Sequence, residues 1–183
     1  MKAFWAFGYE GTSVDRLCRL TNMPRASLYH DFKDKEGLFL AAVAHYAKTR
    51  LAPLTDALGP RGPLSEDLAA FYESVIHLGT SDPETPGCLI SSVLADVAAT
   101  NATFRAELDG RFSALETLIA DRLRMDGWPE DATNPPEVVA GLVAAIARGI
   151  IQRARSGQSA DILQPVGTAG ARAVLTLDPR SSA

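Results

Sequence analysis

The stretch GYEGTSVDRLCRLTNMPRASLYHDFKDKEGLFL, residues 8–40, reads as two short helices joined by a tight turn and followed by the start of a longer helix. Thr12 and Ser13 are both residue types that bond the free N–H groups of a first helical turn. Val14, Leu17 and Cys18 then recur at i, i+3 and i+4, which makes one apolar face, while Asp15, Arg16 and Arg19 lie on the other. Thr21-Asn22 stops this helix, because Asn tolerates the left-handed geometry of a tight turn. Pro24 fits the first turn of the next helix, where its missing N–H has no intrahelical partner. Leu28, with Met23 behind it and Phe32 ahead, is expected to pack inward on Val14 and Leu17. That leaves Arg25, Ser27, Tyr29 and His30 outside.

Such a helix-turn-helix is a device for placing its second helix in a DNA major groove. The exposed residues suit that task. Arg is the best bidentate reader of guanine, and Ser bonds a base edge or a phosphate. Tyr and His bond phosphate oxygens and fix register. Asp34 is an N-cap type, and Lys35 falls in the first turn of the following helix, where its ammonium and the free N–H groups can meet one phosphate. The candidate DNA-contacting set is therefore Ser13, Arg25, Ala26, Ser27, Tyr29, His30 and Lys35. Asp15 and Asp31 lie near the same surface and repel phosphate. Asp15 favours a helix N-terminus, and Asp31 is expected to orient Arg25 or Lys35.

The pattern G-Y-x-G-T-S-V…L-x-x-x-T-N-M-P-R-A-S-L-Y-H-x-F-K-D-K-E-G-L-F resembles the DNA-binding domain of the TetR (tetracycline repressor-like) family of bacterial transcriptional regulators. Its most specific part is L-Y-H-x-F-K-x-K-E-x-L, from Leu28 to Leu38. The resemblance implies an all-α fold with a three-helix head over residues 1–48 and a helical regulatory and dimerisation body over 49–183. It implies a ligand-responsive regulator, a repressor released from an operator by a small molecule. It also implies a homodimer formed mainly by the last two helices. The family's first helix is longer and follows a polar arm; MKAFWAF, residues 1–7, reads as the end of such a helix, with Phe4 and Phe7 as core candidates and Gly8 as C-cap.

Composition sets the outer bounds. The hydrophobic fraction is 46% and the charged fraction 22%, ordinary for a globular protein. The N-terminus does not read as a secretory signal, and no apolar run approaches the length of a membrane span, so a cytoplasmic location is expected. The two cysteines, Cys18 and Cys88, give no disulfide framework, and no Cys/His spacing suggests a metal site. No cofactor motif is present. The net charge of −4 counts against nucleic-acid binding until its distribution is read. Residues 1–50 carry eight Lys/Arg against five Asp/Glu, whereas residues 51–183 carry ten against seventeen. A mildly basic head on an acidic body is what a modular DNA binder shows.

Beyond the head the 3.6-residue period persists, with no strand-like alternation and no internal repeat, and about nine helices result. A long helix runs from Lys35 to Leu58 and is expected to kink or divide at Pro53. Gly59–Pro63 is a loop, after which Ser65 is expected to cap a helix carrying Leu68, Phe71, Tyr72, Val75 and Ile76 on one face. A loop from Gly79 to Pro86 precedes an apolar helix over 87–99. The next helix starts at Thr100-Asn101 and carries Phe104, Leu108, Phe112, Leu115, Leu118, Ile119 and Leu123 inward, with Arg105, Glu107, Arg111, Glu116 and Arg122 outward. Helices over 137–155 and 159–177 close the chain, after a Gly-Trp-Pro loop in which Trp128 reads as an anchor.

The helix over 137–155 is too apolar for a solvent-facing helix. Gly141, Ala145 and Gly149 recur every four residues and would let a second copy approach, with Ala169 and Ala173 on the partner helix; burial inside one domain is the alternative. Effector-contact candidates on the surrounding helices are Tyr72, His77, Cys88, Ser92, Phe112 and Arg148. Cys88 follows Pro86-Gly87 at a helix start, where a thiol is activated by the helix dipole. It reads either as an oxidant or electrophile sensor, as a pocket thiol, or as a small buried hydrophobe. No paired carboxylates, Ser/His/Asp set or phosphate loop argue for an enzyme. The competing reading is an all-α small-molecule-binding or interaction protein without effective DNA binding.

Overall fold

Residues 1–182 are described by a computed structural model, and all regular structure among them is helical. In chain order the helices are α1 (Lys2–Phe7), α2 (Val14–Thr21), α3 (Arg25–Phe32), α4 (Lys35–Arg50), α5 (Ala52–Ala57) and α6 (Leu64–Thr80). A π-helical turn (Ile90–Leu94) then runs into α7 (Ala95–Ala98), followed by α8 (Ala102–Met125), α9 (Pro136–Arg155) and α10 (Ala160–Leu175). A 3₁₀ turn (Pro179–Ser182) ends the described chain. The expected long helix divides at Leu51, two residues before Pro53. No helix among the described residues is long and apolar enough to cross a membrane.

The head assembles from its caps. Ser13 accepts from the Arg16 N–H at 3.2 Å, and Asn22 takes the left-handed conformation (φ 51°) that ends α2. Thr12 is not a cap: it is buried, and its hydroxyl donates to the Gly8 carbonyl at 2.7 Å. Pro24 sits one position earlier than expected, at the N-cap of α3. Asp34 caps α4 by accepting from the Gly37 N–H at 2.8 Å. Leu17 and Leu28 are buried, with Val14, Cys18, Met23 and Phe32 packed around them.

In α1 the expected pairing of Phe4 and Phe7 is replaced by Phe4 and Trp5. Phe7 is 47% exposed, its ring covered by the Arg16 guanidinium 3.6 Å away. Trp5 turns inward because it meets the Tyr46 ring edge-on at 5.0 Å and donates from Nε1 to the Pro86 carbonyl at 3.3 Å. Head and body meet in one aromatic cluster. Phe39 lies 4.9 Å from Phe4, 5.0 Å from Tyr9 and 5.2 Å from Phe104, ring centre to ring centre. Asn101, the cap of α8, donates to Glu36 on α4 at 2.9 Å.

The body packs α6 against α9 and α10, with α8 on the other side of α9. Pro63, not Ser65, occupies the N-cap of α6. Arg122, expected on the solvent side of α8, is buried: its Nε donates to Asp67 on α6 at 2.8 Å and its Nη2 to the Gly62 carbonyl at 3.0 Å. The Gly59–Pro63 loop folds over this pair. Gly59 has φ +76°, and a Cβ there would strike the Asp67 carboxylate and come within 2.6 Å of the Arg61 nitrogen. Leu118 is the other departure on α8, lying 46% exposed. Trp128 does anchor its loop, buried and donating to the Asn134 carbonyl at 2.9 Å.

Candidate nucleic-acid interface and cavity

On α3, Arg25, Ala26, Tyr29 and His30 share one exposed face, at i, i+1, i+4 and i+5. Ser27 is half-buried beside it, and Ser13 is exposed at the start of α2. The basic groups are held in place before any ligand arrives. Arg25 pairs with Asp15 at 2.8 Å and donates to the Tyr29 hydroxyl at 3.3 Å. The Tyr29 hydrogen bond, followed by the charge of Asp15, holds the guanidinium above its ordinary pKa. His30 Nδ1 lies 2.9 Å from Asp31.

The expected partnership of Asp31 with Arg25 or Lys35 is therefore not observed. Six residues at 3.6 per turn carry Asp31 round to a different side of α3 from Arg25, and Asp15 on α2 takes that role. Lys35 instead lies 4.0 Å from the centre of the Tyr9 ring and 3.8 Å from Glu10, with one-fifth of its side chain exposed. Tyr9 thus joins Lys35 to the aromatic cluster at Phe39, a link that sequence spacing alone did not reveal.

The second feature is a cavity of about 400 Å³ in the body. Its walls come from α4 (Ala44, Ala47, Lys48), α8 (Arg111, Phe112, Leu115) and α9 (Ala147, Arg148, Ile151), with α5, α6 and the 88–91 segment completing it. Three of the six effector candidates line it: Cys88, Phe112 and Arg148. Arg148 stands 4.3 Å from the Phe112 ring centre and is paired with Glu116.

The other three candidates lie elsewhere. Tyr72 is buried against α9, its hydroxyl donating to the Val143 carbonyl at 3.3 Å, and burial raises its pKa. His77 is exposed on α6. Ser92 is buried while its neighbour Ser91 faces the cavity. Cys88 lies just before the π-helical turn, and its carbonyl accepts from the Ser92 N–H at 3.0 Å. It is buried beside the Tyr46 hydroxyl, whose pKa is raised chiefly by burial. Lys48 also stands on the wall, as does Arg111, which the sequence placed on the outward side of its helix. The signal was there: Ala44, Lys48 and Leu51 share one face of the chain, as do Arg111, Leu115 and Leu118. Among the described residues, no group of three His, Cys, Asp or Glu side chains could hold a metal ion.

On α9 the residues Val138, Leu142, Ala145 and Gly149 are exposed, and a Cβ added at Gly141 or Gly149 would meet nothing within 4 Å. The alternative of complete burial within one domain is thereby removed. On α10 the small-residue row divides. Gly167 and Gly170 face inward, where a Cβ at Gly167 would lie 3.2 Å from Tyr72 and Ile76, while Ala169 and Ala173 face out.

A three-helix head with an exposed second helix, tied through α4 to a helical body with its own cavity, defines a helix-turn-helix transcriptional regulator. Residues 1–42 match the family described as bacterial regulatory proteins, tetR family, and residues 65–169 match the C-terminal domain of LmrA/YxaF-like transcriptional regulators. The chain belongs to the TetR family. Its relatives include the transcriptional repressor ComR of Escherichia coli K12, 27% identical over 177 residues that span 92% of this chain and 82% of ComR. The repressor AcnR of Corynebacterium glutamicum is 28% identical over 168 residues, 90% and 82% of the two chains. Among solved structures, a cysteine-substituted form of the TetR-family regulator CifR, complexed with 26-bp double-strand operator DNA, superposes with a TM-score of 0.82 at 27% identity, covering 94% of this chain and 91% of that one. Reduced NemR of E. coli shares the fold, with a TM-score of 0.75 at 22% identity over 91% and 88% of the chains.

Proposed function

We propose that this regulator is a cytoplasmic repressor that binds its operator as a two-fold dimer and leaves it when a small molecule fills the body cavity. It acts by binding, not by catalysis. Residues 1–48 form the reading head and 49–183 the regulatory and dimerisation body. The observation that carries the reading is the position of α4: Lys35, the proposed phosphate contact, opens it, and the cavity-lining Ala44, Ala47 and Lys48 lie toward its other end. A ligand that binds better to one placement of α4 than another shifts the population of DNA-competent dimers by the ratio of those affinities. The open stripe at Gly141, Ala145 and Gly149, flanked by Ala169 and Ala173, supports a second copy packed on α9 and α10.

In this reading Arg25 and Ser27 read bases, with Ala26 admitting close approach, and Ser13, Tyr29, His30 and Lys35 hold phosphates. A footprint on the DNA flanking the gene tests it. Protection of a two-fold symmetric site with half-sites about one helical turn apart is expected; binding no tighter than to unrelated DNA overturns the reading. Arg25→Ala should relax base preference at one position per half-site by about tenfold while leaving non-specific affinity nearly unchanged. Measured affinities for single-base operator variants check this.

A further inference from the structure

We infer that the cavity takes an organic monoanion, a compact apolar body carrying one carboxylate-type group. The inference rests on the effector reading above and names the class of ligand. The cavity walls contain three cations, Lys48, Arg111 and Arg148, and no aspartate or glutamate. Apart from Thr55, Cys88 and Ser91, every other lining residue is apolar. Two of the cations are held from outside the cavity. Arg111 Nε donates to Glu107 at 2.8 Å, one turn back on α8, and Arg148 is paired with Glu116 and seated over the Phe112 ring. Each guanidinium has five N–H donors in a planar fork, and these contacts use only part of them. Lys48 is exposed at the cavity's edge and has no acidic partner among the described residues.

Three cations against two carboxylates leave one net positive charge at the cavity, carried by Lys48 on its exposed side, beside a lining that is mostly apolar. A single anionic group would accept charge-assisted hydrogen bonds there, while its apolar remainder covers Leu115, Leu118 and Ile151. A neutral ligand leaves the ammonium unmatched, and a cationic one is repelled. At ~30 Å³ per atom the space holds roughly 13 non-hydrogen atoms, near the size of decanoate. The anion would also tie the last turn of α4, through Lys48, to α8 and α9. Lys35, thirteen residues earlier on the same helix, is about 20 Å away, so the tie acts on the helix that carries the head.

The test titrates the full chain with decanoate, decanol and decylamine by calorimetry. Release of a flanking promoter fragment is read in parallel. Decanoate should bind at least about tenfold more tightly than decanol, with decylamine weakest. Lys48→Gln should weaken decanoate about tenfold and leave decanol unchanged, and Lys48→Arg should restore decanoate binding. Equal binding of decanol or decylamine, no binding of any of the three, or indifference to Lys48→Gln overturns the anion assignment. Decanoate that binds with this charge preference without releasing DNA sustains the anion site and sinks the effector reading. DNA release by decanol as effective as by decanoate does the reverse.

Discussion

Replacing Tyr29 and Lys35 together with alanine should sharply weaken operator binding and non-specific DNA binding alike. Tyr29 is 40% exposed on α3, and Lys35 keeps one-fifth of its side chain exposed beside the Tyr9 ring. A phosphate clamp is expected to be blind to sequence, so its loss lowers affinity for every duplex. A two-fold dimer loses two hydroxyls and two ammonium groups at once, and a fall of at least about a hundredfold is expected. The loss of two lysines should also reduce the salt dependence of log K by about 2. Gel-shift titrations at several salt concentrations measure both, with a thermal melt to show that the head remains folded. Wild-type affinity and salt slope in the double variant would refute the proposed docking.

Arg122→Ala should be the most destabilising single substitution in the body. The side chain is 5% exposed and serves Asp67, the Gly62 carbonyl and, at 3.8 Å, Asp126. Truncation leaves the Asp67 carboxylate buried with only the Arg61 N–H, at 3.3 Å, as a remaining donor. Removing one partner of a buried pair costs about 3–5 kcal/mol. For a chain of this size that lowers Tm by roughly 10 °C. Replacing both partners with apolar residues of similar volume, Asp67→Leu with Arg122→Met, should recover most of the loss. Urea unfolding of the single and double variants decides it: a single-variant cost below about 1 kcal/mol would show that the pair is solvated.

What was legible in the sequence follows the range of the forces involved. Caps and turns are local, and Ser13, Asn22, Asp34 and Asn101 announced themselves by residue type and position. The faces of α6 and α9 were legible because burial there follows one helical period. Three cap positions shifted, at Thr12, Pro24 and Ser65, and the larger misplacements are tertiary. Arg122 reads as a solvated charge until Asp67, 55 residues earlier, is folded against it. Phe7 and Trp5 exchange roles because the partners of Trp5, Tyr46 and the Pro86 carbonyl, lie on other segments. The cavity was half legible: Cys88, Phe112 and Arg148 face it, whereas Tyr72 and His77 occupy the correct helix at the wrong angle. Angle about a helix axis is set by neighbours that a single sequence does not identify.

The two tryptophans of the chain give it an internal optical gauge. Trp128 is fixed within its own loop through the Asn134 carbonyl, so its emission should stay constant as the head shifts. Trp5 spans two parts of the molecule: its indole belongs to α1, yet its hydrogen bond ends at Pro86 and its ring rests on Tyr46. A displacement of α1 away from Pro86 should open that bond and wet the indole, read as a red shift of its emission. The colour of the light this protein emits should therefore report the placement of α1 against the body, with no added label.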